Sequence, residues 1–212
     1  VATSTGKRVG LSREKVLRTA LELAERDGVE KLSMRRLGTA LGVEAMTLYH
    51  YVPNKAALLD GLVELVVRDV RPDFTGPPAE WPSRLREFAV RFRAELLRRP
   101  GVIPLVATRP AGSAGALRAV ESAAALLVAA GLDPVAALRV VNSVSTLVVG
   151  HCLAEAATTP GHGEETEPEL DLADFPVLAA AVAGGLGTAQ DHQARFDLAL
   201  DALLAGLVAA VG

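Results

Sequence analysis

Ser33-Met34-Arg35-Arg36-Leu37-Gly38-Thr39-Ala40-Leu41-Gly42-Val43-Glu44-Ala45-Met46-Thr47-Leu48-Tyr49-His50-Tyr51-Val52-Pro53-Asn54-Lys55 reads as two short helices set around a tight corner. Ser33 is suited to N-cap the first, because its hydroxyl can accept from a backbone N–H that has no partner within the helix. Leu37, Ala40 and Leu41 follow at i, i+3 and i+4 and are expected to share one apolar face. Gly42 comes directly after the last periodic residue, where a left-handed backbone costs glycine least. Val43 plugs the corner. A second helix is expected from Glu44, with Leu48 turned inward and Thr47, Tyr49, His50 and Tyr51 presented in and around its last turns. Pro53 ends it. The pattern is a helix-turn-helix whose second helix is placed to enter a DNA major groove.

The side chains suit that placement. Ala45 and Thr47 allow close approach. Tyr49, His50 and Tyr51 can reach phosphates through a hydroxyl or ring N–H while stacking on sugars, and Lys55 is a cation just past the helix. Two ordinary amphipathic helices with aromatics in a core would share the Leu-Gly-Val corner, but not the string that follows it. Thr47-Leu48-Tyr49-His50-Tyr51-Val52-Pro53-Asn54-Lys55-Ala56-Ala57-Leu58-Leu59-Asp60 resembles the signature of the tetracycline-repressor (TetR) family of transcriptional regulators. Arg35-Arg36-Leu37 and Leu41-Gly42-Val43-Glu44 resemble the family's preceding elements.

That resemblance implies a homodimer on a palindromic double-stranded DNA operator, released by a small-molecule effector. It implies DNA contacts from Ser33, Arg35, Ala45, Met46, Thr47, Tyr49, His50, Tyr51 and Lys55. Arg35 would read a base edge, most simply guanine through O6 and N7, with Ala45, Met46 and Thr47 setting neighbouring contacts. Tyr49, Tyr51 and Lys55 would hold phosphates, and His50 could do either. Met46 stands where the tetracycline repressors have proline and His50 where they have tryptophan, so their operator sequence does not carry over.

The chain has 212 residues, half of them apolar and few aromatic. That is enough for one small and one larger unit, or for one elongated helical protein. Runs of β-branched residues alternating with polar ones are absent, so the expected class is all-α. The net charge of −3 would argue against nucleic acid if it were evenly spread. It is not: residues 1–55 carry ten Lys/Arg against six Asp/Glu, and residues 56–212 carry twelve against nineteen. A basic head on an acidic body is expected if only the head meets phosphates. One cysteine, Cys152, excludes an intrachain disulfide and fits a reducing cytoplasm. The N-terminus is polar and basic, unlike a secretory signal. The most apolar window, residues 135–157, contains Arg139, Asn142, Ser143, Ser145, Thr146 and His151 and reads as a helix buried in protein, with no membrane partner.

Three units are expected: a flexible basic tail at 1–10, a helix-turn-helix domain at 11–57, and a ligand-binding and dimerisation domain at 58–212. In the tail, Lys7 and Arg8 either trail along DNA or are simply solvated. Ser12 caps a helix to Asp27 with Val16, Leu17, Ala20, Leu21 and Ala24 on one face, and Gly28 stops it. A helix over residues 54–70 joins head to body. Trp81-Pro82 opens the next, to about Arg99, lined inside by Leu85, Phe88, Ala89, Phe92 and Leu96. Residues 102–107 hold a short helix or turn before Thr108-Arg109-Pro110. Helices are expected over 114–130, 133–157, 175–183 and 189–211, with a mobile acidic loop at 158–173. The helices at 133–157 and 189–211 are apolar around more than one face, so one stripe serves the core and another needs a partner. In the resembled family this pair forms the dimer interface, and Ala194, Ala199, Ala202 and Gly206 would allow close approach.

The body also resembles the tetracycline-repressor subclass, in the Trp81 helix start, Thr108-Arg109-Pro110, and the long helix with Gly150. Those repressors hold a magnesium–drug complex through histidine, asparagine and glutamate. At the matching positions this chain has Val70, Phe88, Leu105, Thr146 and Ala154, while Phe92, Thr108 and Arg109 are retained. Glu155 is one residue off, which turns it about 100° around a helix. A hard cation needs oxygen ligands, so no metal is expected and tetracycline is not the expected inducer. The pocket should suit a larger apolar or aromatic molecule, packed by Phe88, Phe92, Leu105, Leu138 and Val141 and oriented by Thr108, Arg109, Asn142, Ser145 or Thr146. Plain core packing explains the apolar members of that set equally well.

Other chemistry finds little support. Gly185-x-Gly187 lacks a preceding strand and a third glycine, so it is not a dinucleotide loop. His50, His151, His162, His192 and Cys152 show no metal-ligand spacing, and no nucleophile elbow is present. No catalytic residue and no cofactor are therefore expected. An enzyme binding a small molecule, and a ligand-independent DNA-binding protein, are the alternatives.

Overall fold

The structure, a computed structural model, describes residues 10–109, 112–157 and 171–211, and among them it is built of ten α-helices with no strand. The basic tail with Lys7 and Arg8, Pro110, and nearly all of the acidic stretch at 158–173 lie outside the described residues.

Local capping sets the first elements. Ser12 accepts from the Lys15 amide at 3.2 Å and starts α1 (Arg13–Asp27), and Gly28 closes it at φ 85°. Ser33 caps α2 (Met34–Leu41) by accepting from the Arg36 amide at 3.3 Å. Gly42 follows at φ 67° and ψ 30°, the left-handed turn expected of it. The third helix, α3 (Ala45–Leu48), is a single turn. Tyr49, His50 and Tyr51 therefore sit in the tight turn after it, bonded three residues back to Met46, Thr47 and Leu48. Asn54 caps α4 (Lys55–Val70), its Oδ1 accepting from the Ala57 amide at 2.8 Å.

Leu17, Leu37, Leu48, Leu58 and Leu62 are fully buried together, each worth about 1.5–3 kcal/mol of transfer from water. The expected face of α2 needs one correction. Ala40 is exposed and Leu41 only half-buried, while Met34, Leu37 and Gly38 face the core. The helix lies in a phase that starts from its first residue, and alanine carries too little apolar surface to fix the phase by itself.

The rest is a helical body. α5 (Trp81–Leu97), α6 (Ile103–Thr108), α7 (Ala114–Ala129) and α8 (Pro134–Ala157) surround one core, and α10 (Ala189–Val211) packs on α5 and α8. Ala137, Val141, Val144, Val148 and Cys152 form the buried stripe of α8 at a helical period. By length and composition alone Pro134–Ala156 is apolar enough to cross a membrane, but here it packs against α5, α6, α7 and α10. α9 (Pro176–Ala183) buries none of its residues.

Where α5, α8 and α10 meet, Arg93 donates to both oxygens of Glu155 at 2.8–2.9 Å, with its guanidinium over the Phe196 ring at 5.0 Å. His151 Nε2 lies 2.9 Å from the His192 carbonyl, which can only accept, so that nitrogen carries the ring proton. Burial pushes the His151 imidazole down, towards its neutral form.

Candidate functional site

Two regions stand out, and α4 touches both. At the first, the corner brings the exposed ends of α2 and α3 together. Gly38 makes this possible: a Cβ there would lie 2.7 Å from the Val43 carbonyl oxygen and 3.2 Å from the Ala45 nitrogen. The Val43 amide in turn donates to the Gly38 carbonyl at 2.9 Å, so the corner is pinned by backbone alone. Leu48 and Val52 are buried beneath it, which directs α3 outwards. Met46 is 71% exposed and Tyr49, His50 and Lys55 are exposed, while Ala45, Thr47 and Tyr51 are half-buried at the base of the same surface.

The two adjacent arginines of α2 differ. Arg36 is tied down, donating to Asp27 at 2.6 Å and to the Lys31 carbonyl at 3.1 Å. The Arg26 guanidinium, then Arg36 and Lys31, hold the Asp27 carboxyl below its usual range. Arg35 is exposed and has no ion-pair partner among the described residues, and the same is true of Lys55. Ser33 is half-buried, with its hydroxyl engaged in capping α2. The region is thus a protruding helix end flanked by two uncommitted cations, the geometry that a major groove and its phosphates accept.

The second region is a half-open cavity of about 560 Å³ in the body. Phe88 and Phe92 are stacked with centroids 5.4 Å apart, and Phe74 tilts against Phe88 at 5.6 Å, so one wall is aromatic. Val63 and Val67 of α4 contribute, as do Val141, Asn142, Ser145 and Thr146 of α8. Thr108 and Arg109 stand at the end of α6. Thr108 Oγ1 is turned back to the Pro104 carbonyl at 2.8 Å, and Arg109 forms an ion pair through Nη1 with Asp60 of α4.

Eight of the ten residues expected at a pocket line this cavity: Phe88, Phe92, Thr108, Arg109, Val141, Asn142, Ser145 and Thr146. Leu105 and Leu138 do not. Leu105 is buried in the core at 6% exposure, beside Ile103 on the short helix α6. Leu138 shares the stripe of Val141, Asn142 and Ser145 but lies one turn earlier, outside the lining, and is 41% exposed. Phe74 was not anticipated, because it lies in the irregular stretch between Arg71 and Pro78, where no periodicity marks it. Asp60 was not anticipated as a partner of Arg109.

The lining contains no carboxylate and no histidine among the described residues. Glu155 turns from the cavity to Arg93, and Val70 and Ala154 are not in the lining. One grouping departs from the expectation that the histidines show no metal-ligand spacing: ligand atoms of His151, Glu155 and His192 lie within 4.8 Å of one another. The first two are four apart on α8, a helical spacing that sequence could have shown. Arg93 covers Glu155 and Arg195 donates to His192 Nδ1 at 2.6 Å, so the group holds α8 on α10 and α5 as a charged cluster and gives a cation little to bind.

A helix-turn-helix on a helical body with an apolar cavity defines a class, the helix-turn-helix transcriptional regulators with a cavity domain. This chain belongs to the TetR family. The family described as "Bacterial regulatory proteins, tetR family" matches residues 16–62, and "Tetracyclin repressor-like, C-terminal domain" matches residues 75–211. An HTH-type transcriptional regulator of Saccharopolyspora erythraea is 34% identical over 211 residues, covering 95% of this chain and 86% of its own. A possible TetR family transcriptional regulator from Streptomyces coelicolor A3(2) superposes with a TM-score of 0.77 at 32% identity, over 94% of this chain and all of that one. The Streptomyces coelicolor protein ActR, solved in complex with actinorhodin, gives 0.77 at 26% identity over 96% of this chain and 100% of its own.

Proposed function

We propose that the protein is a ligand-responsive repressor that binds a palindromic operator as a homodimer and is released by a small apolar or aromatic effector. The observation that carries this is the shared helix: α4 begins directly behind the exposed α3 and also supplies a wall of the cavity. Occupancy of the cavity and position of the head are then properties of one rigid element. A relative solved with actinorhodin supports a small-molecule occupant. Residues 11–57 form the DNA-reading unit and 58–212 the ligand-binding and dimerisation unit. The dimer reading draws on α8, only a third of whose apolar window is buried, and on α10, where Ala194, Leu198, Ala202 and Gly206 share an exposed side. These two helices would meet their copies in a four-helix interface, in a cytoplasmic protein.

A two-fold dimer sets two copies of α3 on half-sites about one turn apart, roughly 34–36 Å. Arg35 reads a base, Tyr49, Tyr51 and Lys55 hold phosphates, and Ala45, Met46, Thr47 and His50 shape the contact; Ser33 holds α2 in place beside the backbone. The test is operator binding by fluorescence anisotropy, with operator variants. Arg35→Ala is expected to cost about 1–3 kcal/mol and to relax preference at one base position, whereas Lys55→Ala should weaken all sequences alike and flatten the salt dependence. Equal losses across every operator variant for both mutants would overturn the assignment.

The lining also sets an expectation about tetracycline itself. Phe88 and Thr146 present no donor set for magnesium, and a hard divalent ion keeps its water unless carboxylates or several oxygens replace it. Calorimetric titration with magnesium and tetracycline should show no binding at micromolar concentration. Micromolar, magnesium-dependent heat would refute this reading of the pocket.

A further inference from the structure

The cavity has one charged lining residue among those described, and it is a cation. Arg109 lines the cavity among neutral groups, together with an aromatic wall made by Phe74, Phe88 and Phe92. A guanidinium beside apolar surface needs a counter-ion, and Asp60, itself outside the lining, supplies it through Nη1 alone. The remaining edge of the guanidinium, Nε with Nη2, has no hydrogen bond among the described residues, and it is the fork that a planar acid group accepts bidentately. Two carboxylate-like groups on one guanidinium repel each other, so an acid bound there weakens the hold of Asp60.

We infer that the effector is a planar aromatic acid whose anionic group docks on Arg109 against the Phe74–Phe88–Phe92 wall, in competition with Asp60. The inference rests on the cavity being the effector site and names the chemical class it takes. Asp60 lies five residues into α4, directly after the exposed DNA-facing turn, so the competition is felt on the element that carries the head.

A matched pair of fluorescent probes tests it: 1-anilinonaphthalene-8-sulfonate, and N-phenyl-1-naphthylamine, which has the same rings without the anionic group. Arg109→Gln should weaken the sulfonate by about tenfold or more and leave the neutral amine within about twofold, which also reports that the cavity remains folded. Asp60→Asn should tighten the sulfonate and leave the amine unchanged. Parallel changes of both probes in Arg109→Gln, no change in either, a weaker sulfonate in Asp60→Asn, or failure of both probes to bind the unmodified protein would each overturn the inference. Operator binding measured on the same samples separates the two readings. Intact operator binding with a charge-blind cavity sinks the inference alone, and loss of operator binding in the unmodified protein sinks the regulator reading.

Discussion

Replacing Arg99 by alanine should destabilise the folded chain by about 3–5 kcal/mol, the usual cost of stranding a buried charge partner. Arg99 is 12% exposed and joins three helices: Nε to Glu25 of α1 at 2.8 Å, Nη2 to Asp69 of α4 at 3.1 Å, and Nη1 to Glu95 of α5. Without it, three carboxylates face one another where head meets body. Burial already pushes the Glu25 carboxyl up, with Arg99 opposing that rise. Arg18 still holds Asp69 at 2.9 Å and Arg98 still holds Glu95 at 3.0 Å, so the pairs are weakened rather than all lost. In urea the unfolding midpoint should fall with an unchanged slope; a loss below about 1 kcal/mol would show that the network is not holding the junction.

The same substitution has a signed pH dependence. Burial pushes the Asp69 carboxyl up, but hydrogen bonds from Arg18 and the charges of Arg18, Arg99 and Arg68 outweigh it and leave it below its usual range. A depressed carboxylate contributes stability above its unfolded pKa and loses it as pH falls through the folded one. The gap between the parent protein and Arg99→Ala should therefore narrow in acid, below the usual carboxylate range.

Gly38→Ala should cut operator affinity by roughly 10- to 100-fold, against the ordinary rule that alanine improves a helix by about 1 kcal/mol over glycine. The rule fails because the new methyl would sit 2.7 Å from a carbonyl oxygen of the corner, and backbone cannot rotate away as a side chain can. Overpacking of that kind costs about 1–3 kcal/mol and is relieved by swinging α3 off its seat. Gly42→Ala is the contrast. It is strained by φ 67° but meets nothing within 4 Å, so it should lower stability while leaving α3 aimed as before. Circular dichroism melts beside anisotropy titrations distinguish the two, and wild-type operator affinity in Gly38→Ala would defeat the argument.

What could be read from the sequence follows the range of the forces involved. Caps and breaks act within three or four residues, so Ser12, Ser33, Gly28 and Gly42 were legible and placed helix ends within a residue or two. Asn142 and Ser145 at the cavity were legible only through the family resemblance, because the buried stripe of α8 runs along Ala137, Val141, Val144, Val148 and Cys152 and passes them by. The phase of α2 was less legible, because it is eight residues long and Ala40 is ambiguous. The Asp60–Arg109 pair joins residues 49 apart, and Arg93–Glu155 residues 62 apart; charge on a surface helix has many possible partners, and only the folded chain selects one. Leu138 shows the limit on a good stripe: periodicity fixes the direction around a helix axis, but not where along it a cavity ends.

Cys152 has a practical consequence. It is fully buried on α8, and burial pushes its thiol up to about 12, so at neutral pH it stays a protonated, unreactive thiol. Maleimide and methanethiosulfonate reagents should pass the native chain by. A cysteine introduced at the 71%-exposed Met46 would then be the sole attachment point, and a nitroxide there would measure, without background, the α3–α3 distance of the proposed dimer.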